Sequence, residues 1–88
     1  MKKPGYELIE KGLEDLKNGI ETVESLIVRI GRPKLSRMGY NIPPYTGELP
    51  EHRLYKLLAA EDSDSAHSRY NALIRRLVSF ERASECGI

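Results

Sequence analysis

Between Tyr6 and Ile30, apolar side chains recur at alternating intervals of three and four residues. Tyr6, Leu13, Ile20 and Ile27 take one set of positions and Ile9, Leu16, Val23 and Ile30 the other, the a and d sites of a heptad. This spacing argues against strands, whose apolar residues alternate every second position. It predicts one helix over 4–30, about 40 Å long at the helical rise. Pro4 suits a first helical turn, and Glu7 and Glu10 suit the positive end of the helix dipole. Gly31 followed by Pro33 supplies a stop signal.

The same register carries Gly5, Gly12 and Gly19 once per heptad, at the g site. An interior glycine weakens a helix by about 1 kcal/mol relative to alanine, so two of them argue for a second backbone close by. Asn18-Gly19 is also a strong signal for a β-hairpin turn. The three-residue steps Leu13–Leu16 and Ile20–Val23 on either side of it favour helix. Ile9, Gly12, Leu13, Leu16, Gly19, Ile20, Val23 and Ile27 form the expected association seam.

Residues 31–50 hold three glycines and four prolines and are expected to be an irregular connector. Over 51–61, Leu54, Leu57 and Leu58 form a short apolar stripe that predicts a short helix. Ser63, Asp64 and Ser65 are suited to capping a further helix over 64–84. Along that stretch Ala66, Tyr70, Leu73, Leu77 and Phe80 repeat the heptad spacing, widened by Ile74 and Val78. The expected fold is therefore all-α: one domain, an antiparallel helical hairpin of two long helices with a short helix between them. A chain of 88 residues buries only about 60% of its unfolded surface, so the bundle is expected to be completed as a homodimer.

Catalytic chemistry finds little support. Asp64, Ser65, His67 and Ser68 lie together, but at a helix start, where such residues cap, and no glycine-rich oxyanion loop accompanies them. His52 and His67 lack metal-ligand spacing with each other or with the lone Cys86, so neither a metal nor a cofactor is expected. No run of about 18 apolar residues offers a membrane span, and no secretory leader follows the first lysines. A cytoplasmic, non-enzymatic protein is expected.

Charge directs attention to nucleic acid. Residues 1–28 carry four lysines and six acids, a net of −2, whereas residues 29–88 carry ten Lys or Arg and seven acids, a net of +3. The stretch 29–37 contains four cations and no acid. Within it Gly31-Arg32-Pro33 resembles the core of an AT-hook, which lays arginine along a narrow minor groove; Ile30 stands where a basic residue usually precedes the glycine. Residues 53–77 resemble a helix-turn-helix, with residues 66–77 as recognition helix and Arg69, Asn71, Arg75 and Arg76 available to DNA. That motif's usual turn glycine is absent. The expected function is regulatory DNA binding through Arg29, Arg32, Lys34, Arg37, Arg69, Arg75 and Arg76. The rival is a protein adaptor or inhibitor that binds its partner through the Tyr/Pro-rich connector and the helix seam, where Tyr40 and Tyr45, rigid and large, suit an interface hot spot.

Overall fold

The computed structural model describes residues 5–44 and 47–85. Pro4, Tyr45, Cys86 and Gly87 lie outside the described residues. Five helices are present, α1 (Tyr6–Lys17), α2 (Val23–Ile30), α3 (Arg32–Arg37), α4 (Pro50–Glu61) and α5 (Ala66–Glu85), with no strand among the described residues.

The single helix expected over 4–30 is not formed: it stops at Lys17. Asn18 caps α1 and Gly19 follows with φ +72°, the left-handed conformation that glycine adopts without steric cost. The Gly19 N–H donates to the Leu16 carbonyl at 3.1 Å and the Ile20 N–H to the Asp15 carbonyl at 2.8 Å. Those two bonds close a Schellman motif, which satisfies carbonyls that the helix end would otherwise strand. The chain restarts at Thr22. Its Oγ1 accepts from the Ser25 N–H at 3.1 Å, while Ser25 Oγ accepts from the Thr22 N–H at 2.8 Å, a reciprocal capping box with serine in the place of the usual glutamate. A rod of about 40 Å would exceed the longest dimension of the molecule, 37 Å.

α2 therefore folds back antiparallel on α1, and the apolar seam closes within one chain. Ile9 and Ile27 are 1% and 0% exposed, so neither is available to a second chain, whereas Ile20, displaced into the turn, is 50% exposed. Gly12 sits at the crossing. A Cβ built there would lie 2.3 Å from the Glu24 carbonyl oxygen and 2.5 Å from Val28 Cγ2. The close approach expected of the glycines is thus made at Gly12, between two helices of one chain. Gly19 is a turn residue with nothing within 4 Å of its would-be Cβ. Gly5, at φ +77°, starts α1 against the Arg76 carbonyl of α5.

α2 is the centre of the bundle. Leu26, Ile27 and Val28 are successive and fully buried, which requires neighbours all round the helix. α1, α3, α4 and α5 supply them. The expected irregular connector opens instead with α3, which starts at Gly31 directly after α2 and buries Leu35. It ends as α1 does: Gly39 takes φ +102°, its N–H donating to Ser36 and the Tyr40 N–H to Leu35, both at 3.1 Å. Beyond it Ile42 is buried and its carbonyl accepts from Arg32 Nε at 3.2 Å. Pro50 opens α4, which buries Leu54 and Leu58. A four-residue turn, Asp62–Ser65, leads into α5, with the Asp64 N–H donating to Asp62 Oδ1 at 3.1 Å. Ala66, Leu77 and Phe80 then complete the core.

Candidate nucleic-acid interface

The outer face of α5 is basic. From His67 to Arg82 its exposed residues include four arginines and no acid. The one carboxylate in that span, Glu81, is turned inward at 6% exposure. Helical periodicity arranges the outward residues in rows two turns apart, since seven residues return nearly to the same face. Arg69 and Arg76 make one row, Arg75 and Arg82 another, and the short side chains of Ala72 and Ser79 lie between them. Each row spans about 10 Å along the axis.

The flanks of this face differ. On one side the α2–α3 junction at Gly31 packs against the second half of α5, with α3 alongside. A Cβ at Gly31 would meet Leu77 Cδ1 at 2.8 Å and Glu81 Oε2 at 3.2 Å, and Lys34 Nζ lies 3.6 Å from Glu85 Oε1. Burial pushes the Glu81 carboxyl above its ordinary pKa, with Lys34 and Arg37 pulling the other way. Lys34 and Arg37, both exposed, therefore accompany the second half of α5, whereas Arg32 turns to the Ile42 carbonyl of the connector. On the other side runs an open groove of about 470 Å³. Val23, Ala72 and Leu73 supply its apolar lining, Glu24 and Glu61 its acids, and Arg69 and Arg76 its cations.

The ion pairs on this surface are loose. Arg69 Nη2 stands 3.4 Å from Glu61 Oε1 with both side chains about half exposed, and the Lys34–Glu85 pair is similarly open. Pairs of this kind are worth about 0–1 kcal/mol, little enough for a phosphate to displace. Arg75 Nε lies 3.4 Å from the Asn71 carbonyl of its own helix. Acids cluster at the entry to α5, where Asp62 and Asp64 are exposed, so the arginine-bearing middle of the helix is the part that suits a polyanion.

The cations named from sequence do not all gather here. Arg69, Arg75 and Arg76 share the outer face of α5, and Lys34 and Arg37 lie beside it on α3, while Arg32 faces the connector at Ile42. Arg29 is separate: it is half-buried and faces a hollow lined by Leu16, Ile20 and Ser25 on the α1 side. Arg82 was missed, although its place seven residues after Arg75 was a signal for a shared face. Tyr40, the proposed partner contact, packs on the protein's own Phe80 with ring centroids 6.2 Å apart. His52 and His67 are exposed, and among the described residues no group of three or more His, Cys, Asp or Glu could hold a metal ion. Nor is any helix among them long and apolar enough to cross a membrane. Comparison with known protein families, with curated proteins and with solved structures gave no match, so the reading of this surface rests on its geometry and charge.

Proposed function

We propose that the protein is a cytoplasmic, non-enzymatic DNA-binding regulator that engages duplex DNA through the outer face of α5. The observation that carries this reading is the pair of arginine rows, Arg69/Arg76 and Arg75/Arg82, on a helix face free of exposed acids from His67 to Arg82. A helix fits the major groove of B-DNA, where flanking cations meet the phosphates of the two strands. Lys34 and Arg37 of α3 add a second group beside the same helix. In this reading the protein acts as a dimer that presents two such helices. The support for a dimer is the apolar surface at the α1–α2 turn, where Ile20 is 50% exposed beside the half-buried Leu16.

The test is titration of a labelled duplex at two ionic strengths. Each phosphate contact contributes a log–log salt slope of about −0.9, so four to six contacts give a slope of about −4 to −5. Replacing Arg69 and Arg76 together by glutamine is expected to reduce the slope by about 2. Absence of duplex retention at low salt removes the reading.

A second reading, a protein adaptor, rests on the groove between α2, α4 and α5, whose apolar lining and mixed-charge walls suit a polar–apolar peptide. Ala72→Glu, which puts a charge into that groove, is expected to abolish partner capture if this reading holds.

A further inference from the structure

We infer that Asn71 and Arg75 read base edges, so that binding is sequence-specific and the target carries an adenine and a guanine close together. This inference rests on the DNA-binding reading above and adds to it. Phosphate contacts hold a protein on the duplex but carry no sequence information; that must come from groups that reach the bases. On α5 the two kinds of group are separated in space. Arg69 and Arg76 stand at the groove edge, and Lys34 and Arg37 of α3 stand at the opposite edge, near Glu85 and Glu81. Arg75 lies nearer the middle of the outward face, with Asn71 one turn before it and the short side chains of Ser68, Ala72 and Ser79 around them. Apart from Arg82, two turns further on, nothing bulky in that strip holds the helix away from the floor of a groove.

The chemistry of the pair is specific. The guanidinium fork of arginine matches O6 and N7 of guanine, and the asparagine amide matches N6 and N7 of adenine. Both side chains are tethered. Asn71 Nδ2 lies 3.1 Å from His67 Nε2, which accepts one of its two amide hydrogens when that nitrogen is unprotonated. The second hydrogen and the carbonyl oxygen remain for a base edge. Arg75 Nε donates to the backbone carbonyl of Asn71 at 3.4 Å, and the terminal nitrogens of the guanidinium lie beyond that contact. One helical turn advances about 5.4 Å, about the rise of one to two base pairs, which sets the separation of the two purines.

Selection from a random duplex pool with the full chain tests this. The wild-type protein is expected to enrich a motif holding an adenine and a guanine within about three base pairs. Asn71→Ala is expected to lose discrimination at the adenine and Arg75→Ala at the guanine, each by about tenfold. Arg69→Gln is expected to weaken all duplexes alike. All three positions are exposed, and circular dichroism checks that each variant keeps its helix content. A pool that retains salt-sensitive binding but shares no motif overturns base reading while DNA binding stands. So does a motif that survives both alanine substitutions. A pool that shows no retention at low salt removes DNA binding itself.

Discussion

Gly12→Ala separates two opposite effects whose sizes follow from the structure. Position 12 lies in the interior of α1, where alanine is favoured over glycine by about 1 kcal/mol. Against that gain, the new methyl would stand 2.3 Å from the Glu24 carbonyl oxygen, 2.5 Å from Val28 Cγ2 and 2.8 Å from the Glu24 carbonyl carbon. Val28 can turn or shift, but the carbonyl belongs to the backbone of α2. To restore ordinary contact α1 and α2 must part by about 1 Å. That separation loosens Leu8, Ile9, Ile27 and Val28, none more than 5% exposed. Overpacking a filled interior costs about 1–3 kcal/mol, and a backbone collision belongs at the upper end of that range. The net expectation is a loss of about 1–2 kcal/mol, or about 5–15 °C in Tm for a domain of this size. Thermal unfolding followed by far-UV circular dichroism reads it. Gly19→Ala is the comparison, since it meets no atom within 4 Å and bears only the strain of φ +72°, about 1 kcal/mol. A Gly12→Ala protein that melts at or above the wild type would show that the two helices are not held at this distance, and the argument for why the glycine is there would fail.

Three further outcomes follow from the turns and the buried carboxylates. Thr22→Ala removes the Oγ1 that caps α2 and donates to Asp15 at 2.6 Å, and is expected to lose about 1–2 kcal/mol in urea unfolding. The Asp15 pKa is held below its usual value first by Lys11 and then by Thr22, so its stabilisation is present above the unfolded carboxylate value of about 4 and is lost as pH falls through its lower folded value. Asp15→Asn is expected to flatten that acid limb; a limb as steep as the wild type's would refute the assignment. Glu81 has the opposite sign: its folded pKa is raised by burial, so its contribution is greatest below the ordinary carboxylate value and declines as pH climbs through the raised one. Glu81→Gln is expected to raise Tm at neutral pH and to remove that decline, whereas a lower Tm at neutral pH would mean that the charge is held by its neighbours Lys34 and Arg37.

Heptad spacing made the helices of the amino-terminal third legible but not their number, because a stripe is buried equally well by an outside partner or by its own chain folded back. Backbone chemistry decides between the two. Asn18-Gly19 was weighed against a β-hairpin, yet glycine just past a helical stretch, followed three residues later by Thr22 and then Ser25, is also a stop and a start for helices. Gly39 marks the end of α3 in the same way, inside a stretch whose prolines and glycines suggested irregular chain. The basic residues were legible as a list but not as a surface. Arg29 leaves the group because its position on α2 turns it toward α1, while Lys34 and Arg37 join it because Gly31 lets the start of α3 come close to Leu77 and Glu81. From Asp62 to Glu85 there is neither glycine nor proline, and α5 runs unbroken for 20 residues. The longest helix is therefore not the one with the most regular heptads but the one that lacks a residue able to turn the chain. Its length, about 30 Å, is what allows arginines two turns apart to stand in rows rather than as scattered charges.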